Sequence, residues 1–321
     1  MHFGTVESNG EGDVASQIFR TIDKQFSDSI SAALRSRVPS RGLNLPLYHF
    51  TDHEGLHGIL QTRSLWASLA TALEDTSEIK YALERAKRIL AQPKKGRTPD
   101  LYDEIASLLD HRSSQIVETL GTKIYVVSFR TNADEAAHWQ TYGRAGTGFA
   151  IAFNFKHLVI PGVLPMPVLY DPAAQDYFLD QFIESNMRIF YNHLHTLPSE
   201  RLWALRKRVV QLTAFGIWTL APILKDPLYN NENEWRLIVF DPENIQVQYG
   251  KGISTEVLVR RSNNRDIPYK VLQYETLPIV SLGLGPYAAL GENDTDLKQI
   301  LKKATGFDVP ITRSRVLVPA C

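Results

Sequence analysis

Cysteine is almost missing from this chain: the single one, Cys321, is the last residue. An internal disulfide needs two thiols and a cysteine-rich zinc site needs several, so both are excluded. A cysteine at a chain end is also poorly held against a base, which makes it a weak nucleophile. Its last position does not form a prenylation box. An excess of one charge is missing as well, since Lys+Arg and Asp+Glu each number 35. No global basic field draws the chain to nucleic acid, although a local basic patch stays open. Zero net charge also gives little protection against self-association. Long hydrophobic runs are absent. The most apolar stretch, Ala214 to Leu224, is bounded by Arg206, Lys207, Arg208 and Lys225 and is too short for a bilayer core of ~30 Å. Met1 to Gly12 has no basic segment leading into an apolar one, so no secretory signal is expected and the cytoplasm is the expected address. There are no tandem repeats. Gly283-Leu284-Gly285-Pro286 lacks the third glycine and the spacing of a phosphate-binding fingerprint.

What is present suits a globular protein: 321 residues, 44% of them hydrophobic. Ile18, Ile22, Phe26, Ile30 and Leu34 recur at helical spacing near the start. Pro39 to Pro46 reads as a loop, and Leu47 to Phe50 as a strand. Thr51 or Asp52 then caps a helix carrying Leu56, Ile59 and Leu60. Leu65-Trp66-Ala67 reads as a short strand. Helices are predicted over Ser77 to Leu90 and Asp100 to Leu120, with an exposed turn between them. Strands are predicted over Ile124 to Phe129, Gly148 to Phe153, Trp235 to Phe240, Val257 to Val259, Tyr269 to Gln273 and Ile279 to Leu284, with a final one over Val316 to Val318. Gln175 to His195, Ser199 to Leu220 and Asp296 to Thr305 carry helical patterns. Strands interrupted by helical pairs, without regular βαβ alternation, give an α+β class.

Three segments carry polar chemistry. The first is Leu47-Tyr48-His49-Phe50-Thr51. His49 there either presents a ring nitrogen to a cleft or is a partly buried strand residue bonded to backbone. Just beyond it, His53-Glu54-Gly55-Leu56-His57 matches the H-E-x-x-H zinc pattern, although Gly55 and Gly58 weaken the helix it needs. The second segment runs from Ser128-Phe129 through His138-Trp139 to Tyr142-Gly143 and Gly146-Thr147-Gly148. Tyr142 stands before a glycine turn, where an aromatic can stack on a flat cationic ring. Alternatively Trp139 and Tyr142 form one packed helix face. Ser128 is either a polar site residue or a strand hydroxyl. The third is Asn231-Glu232-Asn233-Glu234-Trp235-Arg236. Its two carboxylates share a face in an extended chain; they either steady a developing positive charge or lie solvated beside Arg236. Glu74, Asp75 and Glu78 open a helix, where capping, solvation and the helix dipole account for them; the alternative is that one of them is a third ligand to a metal held by His53 and His57.

These segments together resemble the bacterial family known as domain of unknown function 2971. The resemblance runs from about Leu47 to Val318 on Leu47-Tyr48-His49-Phe50-Thr51, Gly58-Ile59-Leu60, Leu65-Trp66, Ser128-Phe129, Trp139, Tyr142-Gly143, Glu234-Trp235-Arg236 and Gly283-Leu284-Gly285-Pro286. In a second resemblance, the three segments are similar to ADP-ribosyltransferases of the histidine-tyrosine-glutamate type. That resemblance implies a split antiparallel β-sheet core over 41–321, helical insertions at about 77–120 and 172–220, and an N-terminal helical extension over 1–40. It implies a glycosyltransferase acting on NAD as substrate, with an acceptor that is nucleic acid, protein or a small molecule, in toxin or phage-defence biology. His49 would hold a ribose of NAD with Thr51 and Ser128 beside it. Tyr142 would stack on nicotinamide, Glu234 would be the catalytic carboxylate, and Glu232 would orient the acceptor. No metal and no membrane enter this scheme. The competing readings are a non-catalytic nucleotide-binding sensor, a metal-dependent hydrolase built on His53, Glu54 and His57, and a peptide- or nucleic-acid-binding scaffold.

Overall fold

Alternating side chains on two paired strands set the architecture. The computed structural model describes residues 12–37, 46–73, 77–93, 98–109, 121–242, 252–262 and 264–318. Strand β3 (Thr122–Arg130) and strand β6 (Glu234–Pro242) are antiparallel, from Thr122 opposite Pro242 to Arg130 opposite Glu234. Successive residues of a strand point to opposite faces. Ile124, Val126 and Ile238 therefore enter one core, and Tyr125, Val127, Phe129, Leu237 and Val239 enter another. A sheet with two apolar faces needs a layer on each.

The larger layer is helical: α1 (Gly12–Arg37), α3 (Ser77–Leu90), α4 (Pro99–Leu109), α7 (Pro172–His193) and α8 (Leu202–Leu220). Ile22 and Phe26 of α1 are buried in the same core as α7 and α8, and Arg208 grips Asp23 through two nitrogens. Trp218 of α8 ties that layer to the sheet by donating Nε1–H to the Thr122 carbonyl. The other face is covered by α2 (His53–Thr62) and α9 (Thr295–Thr305), through Leu56, Leu60, Leu297 and Leu301. Asp52 caps α2 by accepting from Gly55 N–H at 2.8 Å. Two short helices complete the set, α5 (Ala136–Thr141) and α6 (Phe155–Leu158).

The remaining strands are β1 (Pro46–Thr51), β2 (Ser64–Leu69), β4 (Phe149–Asn154), β5 (Val163–Pro167), β7 (Leu258–Ser262), β8 (Arg265–Gln273), β9 (Ile279–Leu284) and β10 (Ile311–Arg313). The sheet runs β10-β9-β4-β1-β3-β2-β8-β7, with β6 and β5 branching from β3. All pairs are antiparallel except β10 with β9. The edge of β3 away from β6 is divided. Tyr125 and Val126 pair with Leu69 and Ser68 of β2, whereas Arg130 pairs with Tyr48 of β1. Between them the edge opens, and the candidate functional site lies there.

The α+β class and the mostly antiparallel sheet match the sequence reading. Several local expectations change. Pro46 starts β1 instead of ending a loop, as proline can at the first residue of a strand. Val316 to Val318 is not a strand; the last strand is Ile311–Arg313, which pairs parallel with β9. Arg265–Gln273 is one long strand in a hairpin with Leu258–Ser262. Helix His53–Thr62 forms despite its glycines, because Gly55 sits in the capped first turn, where an added Cβ would meet the Thr51 hydroxyl. The expected helix over 110–120, Glu74, Asp75, the turn at 94–97, residues 1–11, the loop at 39–45 and Cys321 lie outside the described residues.

Candidate functional site

Where the edge of β3 divides, part of its backbone faces no strand. The carbonyl of Ser128 is met instead by the side chain of His49, with Nδ1 at 3.0 Å. A carbonyl only accepts, so Nδ1 carries the proton and Nε2 is left as an acceptor in the neutral ring. Burial, opposed by the Ser128 contact and reinforced by Arg130 and Arg260, holds the His49 pKa below its ordinary value. The ring is therefore neutral near pH 7. It also packs 5.7 Å from Phe129.

A cavity of about 360 Å³ opens beside this contact. His49, Ser128, Arg130, Tyr142, Lys225 and Glu234 are among the residues lining it. Of the six residues given roles by the transferase resemblance, five, His49, Ser128, Tyr142, Glu232 and Glu234, meet here. Thr51 does not line it; the Thr51 carbonyl lies against Gly148, where an added Cβ would be 2.5 Å away.

The floor of the cavity is an ion-pair network. Glu234, the first residue of β6, is bound through Oε1 to Arg236 Nε at 2.7 Å. Its Oε2 meets Arg236 Nη2 at 3.0 Å, Lys225 Nζ at 3.1 Å and Arg130 Nη1 at 3.4 Å. Glu232 meets Arg130 at 2.8 Å and Lys225 at 2.7 Å, both through Oε2. Glu78 of α3 meets Lys225 at 2.6 Å and Arg236 at 2.5 Å. Three carboxylates thus balance three cations, nearly all of them buried. Buried charges survive only when paired in this way. Burial pushes the Glu234 pKa up, but Arg236, Arg130 and Lys225 outweigh it and hold the group well below the carboxylate range. Burial works against the charge of Lys225 as well, and Glu234 and Glu78 outweigh it, leaving its pKa well above the usual lysine value.

Glu78 is therefore not the solvated helix opener that its sequence position suggests: it is pulled inward by Lys225 and Arg236. Nor are Glu232 and Glu234 brought together by an extended chain. Glu232 ends a 3-10 turn over Pro227–Glu232, Asn233 takes φ 44°, and only Glu234 is in the strand. The αL residue turns both carboxylates onto the same cations.

Aromatic rings wall the cleft. The Arg130 guanidinium lies 4.4 Å from the centre of the Tyr142 ring, and Lys225 Nζ lies 5.3 Å from that of Tyr229. Burial, countered by Arg130 and reinforced by Glu232, raises the Tyr142 hydroxyl above its ordinary range. Tyr142 caps α5, whose Trp139 faces away into a small core with Ala150 and Val318. The two rings therefore do not share one packed face. The Gly143 to Gly148 turn is pressed on three sides: an added Cβ at Gly143 would meet Trp139 at 2.5 Å, one at Gly148 the Thr51 carbonyl at 2.5 Å, and one at Gly285 the Gly146 carbonyl at 2.2 Å.

Arg236, named in the sequence only as a neighbour of the two carboxylates, binds Glu234 directly, and Lys225, Arg130 and Tyr229 join the site without being candidates in the sequence. Lys225 had a legible signal, a lone cation closing the apolar run Ala214 to Leu224. Its backbone is fixed by Gln175, whose Nε2 donates to the Lys225 carbonyl at 2.7 Å and to the Leu169 carbonyl at 2.6 Å. His53 and His57 do lie side by side, with ring centroids 4.6 Å apart. Among the described residues no third ligand joins them to form a metal-holding group. No helix among the described residues is long and apolar enough to cross a membrane.

Fold and site together define an α+β protein with a divided, mostly antiparallel sheet and a charge-balanced cleft at the division. Residues 138–237 match the family described as "Protein of unknown function (DUF2971)". The match takes in Tyr142, Lys225, Glu232, Glu234 and Arg236 and leaves His49, Ser128 and Glu78 outside it. No curated protein and no solved structure matches the chain.

Proposed function

We propose that this cleft binds NAD and transfers its ADP-ribose to an acceptor, on a core of the ADP-ribosyltransferase type. The observation that carries the reading is convergence. His49 of β1, Tyr142 after α5 and Glu234 opening β6, far apart in the chain, line one cavity. Its volume falls within the ~300–1,000 Å³ typical of small-molecule sites. In the reaction, the bond between the ribose C1′ and the nicotinamide nitrogen breaks, and its electron pair leaves with nicotinamide. Positive charge develops at C1′ until an acceptor atom bonds there and loses its proton. Nearby carboxylates stabilise that charge. Glu234 has both oxygens committed to cations, so its part is to hold Arg130, Lys225 and Arg236 in place. Glu232, whose Oε2 is held by Arg130 and Lys225 and whose carboxylate also meets the Tyr142 hydroxyl, is assigned the sugar. The neutral His49 offers Nε2 to a ribose hydroxyl, and Tyr142 supplies an aromatic wall for the nicotinamide ring.

The same commitment of Glu234 favours a second reading, a nucleotide-binding sensor without turnover. Incubation with NAD and assay of free nicotinamide separates the two. Transfer or hydrolysis gives release by the wild type and a loss of about 100-fold or more in both His49→Ala and Glu232→Gln. NAD that raises the unfolding temperature without release selects the sensor. Neither effect removes both readings.

A further inference from the structure

Among the described residues the helical layer packs on β3, β5 and β6, whereas on the same face Trp66 of β2 and Leu258 of β7 are exposed. Leu65 and Ala67 enter the opposite core, so by alternation Ser64, Trp66 and Ser68 lie on the face of Val126, Ser128 and Arg130. Register carries this face across to Tyr269, which pairs with Ser68 and Leu258, and to Arg260 opposite Ile267. Trp66 is 43% exposed and lies flat on Tyr269, with ring centroids 4.4 Å apart and planes inclined by 23°. A large, partly exposed aromatic ring is thus backed by a second ring. Arg260 donates through Nη2 to Ser68 Oγ at 3.2 Å, and its Nε is buried without a partner. Ser68 is the β2 residue paired with Val126 of β3, next to the point where that edge opens, so its contact brings Arg260 towards the cleft. In the hairpin Leu258 to Gln273 the same alternation puts Arg260 and Arg265 on this face, while Arg261, the carboxylate Asp266 and the buried Lys270, paired with Asp241, lie on the other. This face of the hairpin therefore carries two cations and no carboxylate.

A supported aromatic face beside arginines is what a single-stranded polynucleotide requires: bases stack on the ring and phosphates meet the cations. We propose that the β2-β8-β7 face binds a single-stranded polynucleotide and leads it to the cleft. Its service as the acceptor rests on the transferase reading; its binding to this face does not. Every base has a flat face, so little sequence preference is expected.

The test is fluorescence anisotropy of labelled oligo-dT and oligo-U with the full chain, at two or more salt concentrations. Binding to one or both is expected, and the arm that binds more tightly identifies DNA or RNA. Trp66→Ala is expected to weaken binding at least about fivefold and Trp66→Phe to retain most of it. Arg260→Gln is expected to reduce the slope of log affinity against log salt by about 0.7. All variants are checked for an unchanged unfolding temperature, and Arg265→Gln gives an independent exposed site should one fail to fold. Absence of binding to both oligonucleotides, or equal affinity in Trp66→Ala, overturns the inference. Nicotinamide release measured on the same preparations without oligonucleotide reports on the transferase reading separately.

Discussion

Glu234 shows how one side chain can be read two ways. In sequence it is an acid opening an apolar strand; in the fold it is the hub of three cations. Glu234→Gln leaves Arg130, Lys225 and Arg236 facing only Glu78 and Glu232. Breaking a buried pair from one side typically costs about 3–5 kcal/mol, so a large fall in denaturant midpoint at pH 7 is expected. The pH dependence follows from the shifts. A depressed carboxylate contributes stability above its ordinary value of 4.5 and loses it as pH falls towards the folded value. The raised lysine contributes below 10.5 and loses its share as pH climbs through its folded value. His49, whose pKa is lowered in the fold, makes unfolding easier below 6.5, where the unfolded ring takes a proton and the folded one does not. Urea titrations of wild type and Glu234→Gln should thus show a gap that is wide across the neutral range and narrows below pH 4.5. A gap independent of pH in acid would contradict the ion-pair account. Glu232, Glu234 and Tyr142 were legible because polar groups interrupt apolar patterns there. Glu78 and Arg130 were not, because their partners come from distant elements: Glu78 lies in α3 and meets cations from beyond α8 and from β6.

At the scale of elements, periodicity was a good guide wherever one face is buried. Ile124 to Phe129 and Trp235 to Phe240 read as strands and form the two central ones, because apolar side chains fill both of their faces. The edge hairpin was read short, since Arg260, Arg261 and Arg265 hide its alternation. The pairing that brings β1 against the end of β3 depends on contacts between distant segments and leaves no local pattern. Glycines divide by what surrounds them. An added Cβ at Gly58, inside α2, meets nothing within 4 Å, whereas at Gly285 it meets backbone. Gly58→Ala is expected to stabilise by about 0.5–1 kcal/mol, and Gly285→Ala to destabilise by about 1–3 kcal/mol through overpacking. Thermal unfolding of the two variants checks this, and the same sign of shift in both would contradict the close approach of β9 to the Gly143 to Gly148 turn.

For the molecule as a whole, the division of the sheet is the feature on which the site depends. A continuous sheet would pair the Ser128 carbonyl with a strand; here His49 takes that place, and the opening beside it becomes a cavity walled by Tyr142 and floored by balanced charges. The fold class was legible from the order of strands and helical pairs, but the position of the division was not. Titration calorimetry of NAD into the wild type and Tyr142→Ala goes most directly to the claim that this cavity is a dinucleotide site. The account predicts saturable binding at one site per chain, weakened about tenfold or more when the ring is removed. No binding by a folded wild type, or equal affinity in the two proteins, would contradict it.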